Sequence, residues 1–187
     1  MLRIVGMAGS LRRQSYNSAL LRAAVSSMPD GSELVIESID AIPLYNGDAE
    51  AATGVPARAA AVKDALAAAG GLLISTPEYN HAMPGVLKNA IDWLSRPPAD
   101  RGRVFGGLPI AIMGASPGRF GTALAQNAWL PVFRAVGANL WSGRLLVGGA
   151  AKLFDDQGVL RDAETRERLD TFVTDFVEFV RATQRRG

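Results

Sequence analysis

Short apolar runs of strand length alternate along this chain with longer stretches of helical period, a repetition that few folds accommodate. Arg3 to Met7, Leu72 to Thr76 and Ile110 to Met113 are short, largely apolar runs, the pattern of strands buried on both faces of a parallel sheet. Glu33 to Ser38 alternates apolar with polar and predicts an outer strand; Leu140 to Val147 supplies a fifth, interrupted at Gly143. Helices are predicted from about Tyr16 to Met28, Pro56 to Gly70, Pro84 to Ser95, Gly121 to Val136 and Asp162 to Arg185. Proline at the start and glycine at the stop frame the second of these, and Pro131 predicts a kink in the fourth. In the last, Leu169, Phe172, Val173, Phe176, Val177 and Val180 recur at helical spacing and read as a core face. Five strands alternating with five helices point to a doubly wound α/β fold with helices on both faces. The length of 187 residues suits one domain spanning 1–187.

Composition removes several chemistries. With no cysteine there are no disulfides, iron–sulfur clusters or thiolate nucleophiles. The formal charge is +2 and the arginines scatter rather than forming a stripe, so no nucleic-acid partner is expected. No apolar run approaches the roughly 18 residues of a membrane span, and the chain opens directly on a strand, so a cytoplasmic address is expected. Asp155-Asp156-Gln157-Gly158 resembles half a calcium loop without its glutamate, and reads as a plain turn.

In a doubly wound sheet, ligands sit beyond the carboxyl ends of the strands. Three unusual loops follow the first, third and fourth strands and therefore share that edge. The first, Gly9-Ser10-Leu11-Arg12-Arg13-Gln14-Ser15-Tyr16-Asn17, lacks the lysine of a nucleoside-triphosphate loop and the three glycines of a dinucleotide fingerprint. Its hydroxyls, its arginine and its position at a helix N-terminus suit a terminal phosphate monoester. An equal alternative makes Ser15 or Asn17 a helix cap and leaves the arginines solvated. The second loop, Pro77 to Gly85, sets polar and aromatic residues between prolines. A rigid loop of this kind can offer backbone donors to the polar edge of a flavin while apolar side chains cover its face. His81 is the single histidine, but hydride transfer to a flavin needs no protein nucleophile, so it is assigned no catalytic role.

The segments Gly-Ser-Leu-Arg-x-x-Ser-Tyr-Asn (9–17), Pro-Glu-Tyr-Asn (77–80) and Pro-Gly-Val-Leu-Lys-Asn-Ala-Ile-Asp-Trp-Leu-Ser-Arg (84–96) resemble the NADPH-dependent FMN reductase family, nearest its quinone and chromate reductase branch. The resemblance implies a flavodoxin-like five-stranded parallel sheet of order 2-1-3-4-5 and non-covalent FMN. It implies that Ser10, Arg12, Ser15, Tyr16 and Asn17 hold the flavin phosphate, and that Pro77, Glu78, Tyr79 and Asn80 line the ring, largely through backbone atoms. Ser116, Gly118 and Arg119 fall on a third flavin-contacting loop. NADPH or NADH is the implied hydride donor, N5 of the flavin takes the hydride, and quinones, other flavins, azo compounds or chromate accept electrons by ping-pong. Family members form dimers and tetramers. The helix from Pro84 is the expected contributor to that boundary, with Lys88 and Trp93 facing a partner.

Arg101, just beyond that helix, is a candidate contact for the nicotinamide phosphates or an anionic acceptor; the alternative is a solvated loop. Two rival readings remain: a flavodoxin-type electron carrier, and a flavin-binding redox sensor that does not turn over. Carriers are usually strongly acidic, which this chain is not, and no appended effector domain is expected.

Overall fold

The computed structural model describes residues 1–184; Arg185, the expected end of the last helix, lies outside the described residues. Strands β1 (Leu2–Ala8), β2 (Ser32–Ile36), β3 (Gly71–Ser75), β4 (Pro109–Ala115) and β5 (Asn139–Val147) form a parallel sheet of order β2-β1-β3-β4-β5. This is the flavodoxin-like order. The helices are α1 (Tyr16–Val25), α2 (Gly47–Thr53), α3 (Ala57–Ala67), α4 (Gly85–Leu94), α5 (Arg101–Phe105), α6 (Ala123–Val136) and α7 (Ala163–Gln184).

Strand side chains alternate between the two faces of the sheet, and both faces are covered. Ile4, Leu73, Ala111 and Met113 join one core with Leu20 and Leu21 of α1 and Leu169, Phe172 and Phe176 of α7. Val5, Leu72, Ile74, Ile110 and Ile112 join the other, with residues of α3, α4, α5 and α6 such as Val62, Leu87, Phe105 and Phe133. Burial on both sides is why β3 and β4 read as unbroken apolar runs. Each fully buried Leu, Ile or Phe contributes about 1.5–3 kcal/mol. The aromatics of α7 are core as expected: Trp141 of β5 packs on Phe172 and Phe176 at 5.2 and 5.7 Å between ring centroids.

Several local expectations changed. The interruption at Gly143 is a bulge: Ile110 pairs with Leu140, but Ile112 pairs with Arg144. The Trp141 ring lies so close that a Cβ on Gly143 would meet it at 2.3 Å, so only glycine fits there. Helix α6 runs through Pro131 as one element. Helices α2 and α5 had no counterpart in the sequence reading. Helix α2 buries no residue and so carries no apolar period; the Asn46 side chain, accepting from the Asp48 amide at 2.8 Å, caps it. Helix α5 has five residues, too few for a period to register. Trp93 does not face a partner: it is 1% exposed, packs edge-on to Tyr45 and donates to the Pro43 carbonyl at 2.9 Å. Lys88 is half-buried and pairs with Asp92 one turn on.

Asp155 to Gly158 is a turn, in which the Asp155 carboxylate accepts the Gln157 and Val159 amides. Among the described residues, no helix is long and apolar enough to cross a membrane.

Candidate active site

Three loops leave the carboxyl ends of β1, β3 and β4, each still bonded to its neighbour as it departs. The Gly9 amide donates to the Ser75 carbonyl at 2.8 Å, Thr76 to Met113 at 2.9 Å, and Ser116 to Val147 at 3.0 Å. The first two loops are in close contact. A Cβ on Gly9 would lie 2.9 Å from Pro77 and 3.0 Å from Leu87 and Pro84, closer than packed atoms approach. Glycine therefore lets the first loop sit against the second.

Asn17 ties the first loop to the sheet. It is 3% exposed. Its Nδ2 donates to the Ala115 carbonyl at 2.8 Å, while its Oδ1 accepts from the Ala115 amide at 2.9 Å and the Ser75 hydroxyl at 3.2 Å. The side chain expected at the phosphate is thus bonded to the ends of β3 and β4, with one Nδ2 proton left over. Its backbone amide is also available to an anion, in the first turn of α1 with that of Tyr16, where no intrahelical acceptor exists.

Ser15 caps α1, its Oγ accepting from the Ser18 amide at 3.2 Å. The cap leaves the Ser15 hydroxyl proton free to donate elsewhere. Ser10 Oγ accepts from the Arg12 amide and from the Tyr79 hydroxyl, both at 3.3 Å, which links the first loop to the second. The Arg12 guanidinium is exposed at the mouth.

The second loop is rigid by construction. Tyr79 and Ala82 exchange backbone hydrogen bonds of 3.1 and 3.0 Å across Asn80 and His81, which have φ of 52° and 62°. Positive φ at both central residues marks a type I′ turn. Its base is pinned from α6, where Trp129 Nε1 donates to Thr76 Oγ1 at 3.1 Å. Glu78 Oε2 accepts the Leu124 and Ala125 amides at 2.8 and 3.1 Å. The carboxylate therefore caps α6 and fastens the second loop to the element that follows the third. His81 is exposed, with Nδ1 3.6 Å from the other Glu78 oxygen.

Ser10, Arg12, Ser15, Tyr16, Asn17, Pro77, Glu78, Tyr79 and Ser116 converge with Ala115 and Pro117 on one pocket of about 70 Å³. That is several times the roughly 10–15 Å³ that one water needs, and leaves room for a tetrahedral anion. Ala115 and Pro117 were not singled out from sequence. Ala115 contributes backbone, which no side-chain pattern advertises. Asn80 sits at the exposed tip of its turn. Gly118 and Arg119 lie outside the pocket, and the Arg119 guanidinium covers the Phe120 ring at 5.2 Å. The Ser116 hydroxyl is bonded to the Gly121 carbonyl of its own loop at 2.6 Å.

Arg101 is not brought to this pocket. It opens α5, which leads into the first residue of β4, so it stands toward the opposite, amino edge of the sheet.

The sequence pattern described as NADPH-dependent FMN reductase matches residues 2–152. An NAD(P)H-dependent FMN reductase of Pseudomonas aeruginosa is 44% identical over 167 residues, covering 89% of this chain and 88% of that protein. A 2-hydroxy-1,4-benzoquinone reductase of a Burkholderia species is 39% identical, covering 96% of this chain and 97% of its own. Among solved structures, the flavoenzyme NAD(P)H:(acceptor) oxidoreductase of Paracoccus denitrificans superposes with a TM-score of 0.87 at 32% identity, covering 98% and 99% of the two chains. With its strand order, its three converging loops and these relatives, the chain belongs to the NADPH-dependent FMN reductase family.

Proposed function

We propose that this protein is an FMN-dependent oxidoreductase that takes reducing equivalents from NADPH or NADH and passes them to small acceptors, quinones foremost. The observation that carries the reading is the anion-sized pocket where the first loop and the N-terminus of α1 meet the second and third loops. The residues present fit the flavin phosphate: hydroxyl donors from Ser10 and Ser15, the amides of Tyr16 and Asn17, and the charge of Arg12. Pro77 to Asn80 and the loop from Ser116 to Arg119 flank the same opening and would line the ring. When bound, FMN supplies the two-electron chemistry between nicotinamide and acceptor.

The chain's own residues provide orientation and a fixed polar frame. Asn17 and Glu78 hold the three loops in one arrangement, so donors stand in place before a ligand arrives. One opening serves donor and acceptor in turn, which predicts ping-pong kinetics. A quinone acceptor is favoured because the Burkholderia relative is named for one; flavins, azo compounds and chromate are further acceptors for the same site. Self-association as a dimer or tetramer belongs to this reading, on the resemblance to family members that assemble so. A cytoplasmic setting, where the nicotinamide donors are available, belongs to this reading.

The phosphate assignment is tested by titrating flavin-free protein with FMN and with riboflavin. FMN binding at least about a hundredfold tighter supports it, because several charge-assisted contacts go to the phosphate. Equal affinities would move the phosphate elsewhere.

A further inference from the structure

We propose that a second cavity, between the first loop and residues 151–158, binds the phosphorylated adenosine arm of a dinucleotide; this rests on the flavin reading of the neighbouring pocket. The cavity has a volume of about 190 Å³. It shares Arg12, Ser15 and Tyr16 with the phosphate-sized pocket, so a ligand anchored in or near the smaller space reaches directly into the larger.

The lining has the chemistry of a nucleotide site. Arg12, Arg13 and Arg22 face it and are all exposed. Among the described residues, no ion pair engages any of the three. Two carboxylates also line it, but Asp155 accepts two backbone amides and the Arg161 Nε at 2.8 Å, which compensates its charge. Asp156 alone opposes the three guanidinium groups, whose planar forks suit phosphate oxygens. The half-buried Tyr16 ring lines the cavity and is backed at 5.8 Å by the buried ring of Phe154, so Tyr16 offers a supported aromatic edge for a base. A further cavity of about 320 Å³ across α1 also borders Arg12 and Arg22, but Glu37 and Asp40 line it and no aromatic ring does. Phosphate chemistry therefore favours the cavity at Tyr16 and Phe154.

Two ligands carry such an arm. FAD would continue from the flavin phosphate; NADPH would bring its 2′-phosphate to a site beside the flavin. The test uses the wild type and the double variant Arg13→Ala/Arg22→Ala, which alters two exposed side chains outside the flavin-phosphate pocket. Calorimetry follows 2′,5′-ADP binding to FMN-loaded protein, and flavin fluorescence follows FMN and FAD binding to flavin-free protein. Binding of 2′,5′-ADP that weakens at least about tenfold in the variant supports the proposal and assigns the nicotinamide cofactor. FAD binding tighter than FMN, with the advantage lost in the variant, supports it and assigns the flavin. In both cases FMN affinity stays the same. No 2′,5′-ADP binding together with no FAD advantage overturns the proposal, as does an effect that survives the double substitution. A parallel fall in FMN affinity also overturns it, because the arginines would then belong to the flavin phosphate. Failure of FMN itself to bind would instead overturn the flavin reading, while the 2′,5′-ADP titration still reads the cavity.

Discussion

Replacing Asn17 by alanine separates two roles that the sequence alone leaves joined. If the side chain clamps the sheet edge, the variant loses three buried hydrogen bonds, to both backbone groups of Ala115 and to the Ser75 hydroxyl. Each buried polar group left without a partner costs about 1–3 kcal/mol. Water entering from the adjoining pocket satisfies part of that loss, so the expected destabilisation is about 2–5 kcal/mol. At this chain length that lowers the melting temperature by roughly 4–20 °C. The assay is urea and thermal unfolding of flavin-free protein, where no ligand contributes. A flavin-free variant within about 0.5 kcal/mol of wild type, combined with a large loss of FMN affinity, would refute the clamp and make the side chain a direct phosphate ligand.

Three further outcomes follow from the geometry. Arg101→Ala leaves the KM for NADPH unchanged, because Arg101 stands away from the carboxyl edge; steady-state kinetics with both nicotinamides checks this. Glu78→Gln keeps an acceptor for the α6 amides but removes the charge at the helix N-terminus, and unfolding should show a loss of about 0.5–2 kcal/mol. The Asp155 carboxyl is held below its usual range, chiefly by the Val159 amide and also by Arg161. Its contribution to stability is therefore present above the unfolded carboxylate value and fades as pH falls through the depressed folded one. The unfolding difference between wild type and Asp155→Asn should be visible near neutral pH and disappear in acid; a difference that persists in strong acid would contradict the assignment.

The fold was legible because burial on both faces writes itself as continuous apolar runs, as in Leu72 to Ser75 and Ile110 to Met113. Core positions of α7 were equally plain from their period. What escaped were elements without a buried face, such as α2, and elements shorter than a period, such as α5. Trp93 was misjudged because it lies under the loop around Pro43, an approach made by distant chain that no local pattern carries. At the candidate site, residue types pointed to loops that the fold brings to one edge, but not to the division of labour within them. Asn17 and Glu78 both look like ligand-binding side chains in sequence, yet the Asn17 amide and one Glu78 oxygen bond backbone groups 98 and 46 or 47 residues away. Only the folded chain reveals such partners.

Reductase activity is tested most directly by anaerobic rapid mixing of FMN-loaded protein with NADPH, and separately with NADH, followed in the visible flavin absorption band. A reductase of this kind bleaches rapidly with at least one nicotinamide and regains its colour when a quinone is added. Bound flavin that neither nicotinamide bleaches would contradict this activity and make the protein an electron carrier or a redox sensor.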